Sequence, residues 1–273
     1  MPRSLLLALD TGSPTVSVAL ASGGALVAER AVSMERSSVQ LLGLIRDVLD
    51  EAGARPADLT GVVALRGPGS FTGLRIGLAT VLGFHQALGV PATALETLRV
   101  LAAPHPPGPP LPSPPHRPGE GGDKKKPILE GGGAPLPGEE GAMGEGSGVR
   151  LLIAVVDALR GDWSAQAFTP GSIPQPLGEP VLIPGTELPT LAAGATGGIV
   201  TGFGVSRLAE IPGWPADLRL VEAGPLAAAA ARLAADPAAV WNPSLLTSPL
   251  YARPPAVTLP RTRRTIEPSL PLR

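Results

Sequence analysis

Residues 104–148 hold 12 prolines and 12 glycines in 45 positions, with no aromatic residue. Proline removes a backbone donor and fixes φ, and glycine loses the most conformational entropy on ordering. Neither a helix nor a sheet ladder can run through such a segment. The 273-residue chain is therefore divided into two stretches, each needing its own sheet and helices. With 44% hydrophobic residues overall, both stretches can bury a core. The expected organisation is a first unit over 1–103 and a solvated, disordered Pro/Gly-rich insertion over 104–148. A smaller second unit follows over 149–240, and an extended Pro/Arg-rich tail over 241–273.

Composition narrows the chemistry. The chain has no cysteine, which excludes disulfides and thiolate chemistry. Of the three histidines, His105 and His116 lie in the insertion, leaving His85 in the foldable part. No metal site is expected, and a Ser-His-Asp arrangement would have to use His85. The net charge of −1 offers no field to attract nucleic acid unaided. Lys124, Lys125 and Lys126 share the insertion with six acidic residues and read as a solvated cluster. Arg261, Arg263 and Arg264 read as part of a solvated terminus. No apolar run approaches the roughly 18 residues that a membrane span needs. The apolar run before Asp10 is too short for a signal peptide, so a cytoplasmic protein is expected.

Periodicity places strands over 4–9, 15–21 and 25–32, a helix from 37 to 52, and a strand over 59–65. A second helix is expected over 71–88, capped by Ser70 and stopped by Gly89. A short strand at Ala92 and a helix over 93–103 close the first unit. Ser37 and Gln40 have the spacing of a capping box. In the second unit, strands are expected over 151–156, 163–168, 199–203 and 218–221, and a helix over 225–235. Both units open with an apolar strand ending in aspartate, Asp10 or Asp157, followed by a turn and a second strand. The β-β-β-α-β-α-β-α order is that of an α/β fold.

Two motifs carry most of the information. Asp10-Thr11-Gly12-Ser13 joins two strands, and three readings stand open. It is a plain turn, a nucleotide-phosphate hairpin with Asp10 near a cation, or half of an aspartic-protease dyad. No second Asp-Thr-Gly or Asp-Ser-Gly occurs to complete such a dyad. Arg66-Gly67-Pro68-Gly69-Ser70 then leads into Phe71-Thr72-Gly73-Leu74-Arg75-Ile76-Gly77. This is a tight strand-to-helix connection without the Gly-Lys-Ser/Thr ending of a P-loop. Gly73, Gly77, Thr80 and Phe84 share a helix face, and glycines four apart signal close approach of another helix or a flat docking surface.

These stretches, with Ser248-Pro249-Leu250-Tyr251-Ala252-Arg253, resemble in order and spacing the tRNA threonylcarbamoyladenosine biosynthesis family TsaB. The resemblance implies an actin-like ATPase (ribonuclease H-like) fold, with two subdomains of mixed sheet plus helices. It implies a non-catalytic scaffold that pairs with a catalytic paralogue, TsaD, and receives an ATPase, TsaE. The assembly places a threonylcarbamoyl group on the adenosine following the tRNA anticodon. No catalytic residue is expected in this chain and tRNA is reached through the complex. The resemblance implies no intrinsic cofactor, with ATP or ADP at the complex interface, and leaves room for a homodimer when the chain is alone. The candidate partner surface comprises Leu41, Ile45, Thr72, Gly73, Ile76, Gly77, Thr80 and Phe84. On that reading Gly77→Leu blocks pairing and leaves the fold intact. The chain departs from the family at Ser37, where histidine is usual, and over 157–164. The insertion is a further departure. The competing function is a stand-alone nucleotide phosphohydrolase or kinase using Asp10, with a glycoprotease-type peptidase behind it.

Overall fold

The computed structural model describes residues 4–33, 41–103, 151–171, 173–193, 195 and 197–253. The Pro/Gly insertion, the proposed capping box at Ser37 and Gln40, and the basic residues after 253 lie outside the described residues.

Five strands build the first sheet: β1 (Leu5–Asp10), β2 (Thr15–Ser22), β3 (Ala25–Ser33), β4 (Gly61–Gly67) and β5 (Ala92–Glu96). Their order is β3-β2-β1-β4-β5. The two hairpins are antiparallel, and β1, β4 and β5 run parallel. The second sheet repeats this plan with β6 (Leu151–Asp157), β7 (Asp162–Phe168), β8 (Val181–Pro184), β9 (Gly198–Gly202) and β10 (Leu218–Glu222). Its order is β10-β9-β6-β7-β8, with β6 in the place of β1. The echo between the two halves is thus topological, and the architecture is the two-subdomain actin-like one.

β1 is central and buried along its whole length. Leu5, Leu7 and Leu9 face an outer layer formed by α1 (Leu41–Glu51) and α2 (Phe71–Leu88), where Leu44, Val48, Leu78 and Val81 meet them. The alternate residues, Leu6 and Ala8, face an inner layer of α3 (Thr97–Ala102) and α5 (Ala227–Ala234). That layer is shared, because Ala154 and Phe168 of the second sheet join the same core. The other face of the second sheet packs Ile153, Val155 and Leu220 against Leu188 of the short α4 (Leu188–Leu191), Leu208 and Trp214.

Helix α5 follows the second sheet yet caps onto the first. Ser17 Oγ accepts a hydrogen bond from the Ala227 amide at 3.1 Å, and the Glu29 carboxylate accepts one from the Ala228 amide at 3.3 Å. These acceptors satisfy amides that a helix start leaves free. Five successive alanines from Ala227 to Ala231 keep α5 thin enough to fit between two sheets, and all are buried.

The structure differs from the sequence reading in several places, the short helix α4 among them. Residues 93–96 extend β5 rather than opening a helix, since β-branched Thr93 pairs with Val63 and donates to the Val240 carbonyl at 3.0 Å. The edge strand β8 was not expected, being four residues long and ending in proline, which an edge tolerates. The segment after 241 does not leave the body as an extended tail over its first residues. Pro243–Thr247 form a 3-10 turn, Leu246 is buried in the first subdomain, and Trp241 packs against Gly61.

Candidate functional site

Among the described residues, chemistry or contact is offered by the cleft between the subdomains and by the outer face of α1 and α2.

The β1–β2 turn and the start of α2 interlock. The Ser70 amide donates to the Gly12 carbonyl at 2.8 Å, and Thr11 Oγ1 donates to the Gly73 carbonyl at 2.7 Å. A Cβ on Gly69 would lie 2.7 Å from the Gly12 oxygen, and one on Gly73 only 1.9 Å from the Thr11 carbonyl oxygen. A Cβ on Gly77 would stand 2.3 Å from Thr11 Oγ1. Gly69 and Gly73 are required by close approach of two backbone segments, and Gly77 by the Thr11 side chain that rests on it. Ser70 caps α2 by accepting from the Gly73 amide at 3.3 Å, and Gly89 ends the helix in the left-handed conformation.

Arg66 leaves the end of β4 and donates to Glu96 Oε1 at 2.6 Å, tying together the ends of β4 and β5. Gly67 adopts φ +112°, and a Cβ there would stand 2.0 Å from the Leu250 carbonyl oxygen. Pro68, Gly69 and Ser70 line the cleft, a cavity of about 1430 Å³, together with Gly12, Ser13, Thr97, Asp157, Arg207 and Glu222.

The charged groups of the cleft are already paired. Asp157 accepts from the Leu159 amide at 2.7 Å and from Arg207 at 2.8 Å. Glu222 accepts from the Gly204 amide. Asp10 Oδ1 accepts from the Gly12 and Ser13 amides at 3.0 and 3.2 Å. The two amides most suited to hold a phosphate in the hairpin reading are thus occupied by Asp10 itself. Asp10 Oδ2 is buried without a hydrogen-bond partner, as is Thr97 Oγ1. His85 is remote from this chemistry, with Nδ1 bonded to the Val90 carbonyl at 2.7 Å. Among the described residues no group of three His, Cys, Asp or Glu side chains could hold a metal ion. Among them, too, no helix is long and apolar enough to cross a membrane.

Burial pushes the Asp10 pKa up to about 6 from its ordinary 3.8, against the opposing pull of Ser13 and the Gly12 amide. Above the folded value both states are ionised, and the native state alone carries a buried charge. As pH falls, the native state takes up its proton first, so this group's contribution to stability rises. Relative to Asp10→Asn, the parent chain is expected to gain about 2 kcal/mol between roughly pH 7.5 and pH 4.5. Urea unfolding of both proteins at the two pH values measures this. Parallel pH dependences would show that Asp10 does not titrate in this window.

The second place is the outer surface of α1 and α2. Leu42 is 70% exposed. With Ile45, Arg46, Leu49, Asp50, Arg55 and Phe84 it lines a groove of about 300 Å³ between the helices. The face around it is built from small residues. A Cβ on Gly43 or Gly83 would meet nothing within 4 Å, and Ala79 and Ala87 are exposed.

This arrangement redistributes the residues expected at a partner surface. Thr72 is exposed, and Ile76, Thr80 and Phe84 are half-buried at the surface of α2. Ile45 is core, though its edge lines the groove. Leu41, 5% exposed, packs inward with Leu44. Gly73 and Gly77 are corrected as well, since both abut Thr11 inside the subdomain. Leu42, Gly43, Ala79 and Gly83, which the sequence reading does not name, stand on this outer surface. The signal was available, because at 100° per residue Gly83 stands roughly 120° around the helix from Gly77.

Known proteins resemble the chain in two ways. A family model described as TsaD, tRNA N6-adenosine threonylcarbamoyltransferase, matches residues 29–114. The tRNA threonylcarbamoyladenosine biosynthesis protein TsaB of Bacillus subtilis is 32% identical over 99 residues, covering 36% of this chain and 43% of that protein. TsaB of Escherichia coli is 32% identical over 97 residues, covering 36% and 42%. A crystal structure from Pseudomonas aeruginosa, of an uncharacterized protein with similarity to peptidase YEAZ, superposes with a TM-score of 0.62. It does so over 92% of this chain and 100% of that one, at 24% identity. By sequence, about a third of the chain resembles TsaB. The TsaB matches span less than half the length of these curated relatives. At 24% identity, the likeness to the crystal structure concerns the fold.

Proposed function

We propose that this TsaB-like chain is a non-catalytic subunit of the assembly that installs a threonylcarbamoyl group on the adenosine following the tRNA anticodon. It acts by docking a TsaD-like catalytic paralogue on the outer face of α1 and α2. The observation that carries this reading is that face, with Leu42 70% exposed on α1 and open space at Gly43 of α1 and Gly83 of α2. A small-residue surface lets a partner's helices approach closely, and its apolar groove with a charged rim has the anatomy of an interface. The names of the curated relatives and the family model over 29–114 support the choice of pathway and partner class.

The occupied amides of the Asp10 turn favour a platform over a stand-alone phosphohydrolase. ATP or ADP is then held at the complex interface, where a TsaE-like ATPase joins the pair. The tRNA is reached through the assembled complex, in the cytoplasm. When the partner is absent, the same face pairs two copies of the chain.

The test is reconstitution with a TsaD-like protein, a TsaE-like ATPase, threonylcarbamoyl-adenylate synthesis and unmodified tRNA. Omitting this chain is expected to reduce modification to background, and adding it back to restore it. ATP turnover by the isolated chain that disappears in Asp10→Ala would overturn the proposal.

A further inference from the structure

The carboxy-terminal segment does more than cover the first subdomain. Tyr251, Ala252 and Arg253 run along the mouth of the inter-subdomain cleft. Their attachments to its two sides are unlike. On the first subdomain, the Leu250 amide donates to the Arg66 carbonyl at 2.6 Å. Arg75 Nε donates to the Tyr251 hydroxyl at 3.1 Å, and the Tyr251 ring lies 4.8 Å from that of Phe71. On the second subdomain the grip is that of one side chain. The Arg253 guanidinium pairs with Asp162 and donates to the Leu159 carbonyl at 3.4 Å.

Leu159 and Asp162 bound the β6–β7 turn, whose backbone is strained. Leu159 and Arg160 hold φ values of 66° and 58°, in the left-handed region, and Gly161 follows at 85°. A leucine and an arginine stay there only where their surroundings over-determine the conformation. Arg253 supplies part of that constraint by holding both ends of the turn. Its own Nε is buried without a hydrogen-bond partner, so the grip is incomplete.

We propose that residues 250–253 form a strap across the cleft mouth, and that the Arg253–Asp162 pair is its releasable joint. The floor of the cleft carries Thr97 of α3 and Ala223, which adjoin the α3–α5 layer, whose core belongs to both subdomains. Releasing the joint leaves that floor packed. The second subdomain then turns about the floor, the cleft widens, and the β6–β7 turn relaxes from its left-handed conformation. The strap itself stays on the first subdomain, where its hydrogen bonds and ring contact lie. The inference is independent of the partner proposed above.

The absence of cysteine makes a direct test practical. Thr72 and Ser206 are exposed beside cleft-lining residues on opposite subdomains, and Thr72→Cys with Ser206→Cys carries one spin label each. Pulsed dipolar spectroscopy on the full chain reads the distance distribution. With the strap intact a single narrow distribution is expected. Arg253→Glu is expected to widen it about two-fold towards longer distances, as for a hinge set free. Adding Asp162→Arg, which restores the pair with exchanged charges, is expected to narrow it again. An unchanged width in Arg253→Glu overturns the proposal. So does a widening that the exchanged pair leaves in place, because the loss would then lie in the fold and not in the joint.

Discussion

Gly77→Leu is expected to destabilise the first subdomain by about 3 kcal/mol, at the upper end of what overpacking a closed site costs. The added Cβ would stand 2.3 Å from Thr11 Oγ1, the atom that donates to the Gly73 carbonyl. Rotating Thr11 away breaks that bond, and its own Cβ and Cγ2 already lie 3.4 and 3.5 Å from the same point. Gly73→Leu is expected to be worse, because there the obstacle is backbone, the Thr11 carbonyl oxygen at 1.9 Å. Gly83→Leu on the same helix is the control. It meets open space, and its stability should change by less than about 1 kcal/mol, the scale of helix propensity alone. Urea unfolding followed by tryptophan fluorescence compares the three, with Trp241 reporting from its contact with Gly61. A Gly77→Leu chain as stable as the parent would refute the interlock between the β1–β2 turn and α2. The expected loss of stability, by contrast, would reverse the sequence expectation that Gly77 serves a partner and is dispensable to the fold.

Leu42→Glu is expected to do the opposite: keep the fold and lose the partner. Leu42 is 70% exposed, so a carboxylate there is solvated in the free chain. In the proposed assembly the same carboxylate would be driven into the apolar groove beside Phe84. Stranding a charge at the centre of such a contact should weaken pairing roughly 100-fold, about 3 kcal/mol. Reconstituted tRNA modification should fall with it at limiting protein concentration. Leu42→Met keeps apolar area and should pair like the parent. Calorimetric titration with a TsaD-like protein measures both variants. Equal affinity of Leu42→Glu and the parent would remove this face from the proposed function.

Much of the architecture was legible before any coordinates. The strand-turn-strand openings at Asp10 and Asp157 announced a repeated unit, and the two sheets share one strand order. The second helix was bounded correctly because Ser70 and Gly89 are a cap and a stop with a local mechanism. The candidate site was less legible. The sequence leaves Asp10 open between a plain turn, a phosphate hairpin and half of a protease dyad, and only the structure shows its carboxylate buried and turned onto its own loop. The glycines of α2 were visible, but not which of them faced inward.

The amino-acid sequence by itself settled most of the strands and helices, because hydrophobic period, caps and turn residues act over a few neighbours. It also carried the resemblance to TsaB, through a glycine-rich connection that permits close backbone approach. Contacts between distant segments decided the rest. Helix α5 comes from the second half and is capped by Ser17 and Glu29 of the first. Leu250 returns to Arg66, and Thr11 comes to lie against Gly73 and Gly77. A glycine specifies that something comes close, but only the packing of remote chain specifies what. That is why Gly73 and Gly77 belong to the interior and Gly43 and Gly83 to the open face.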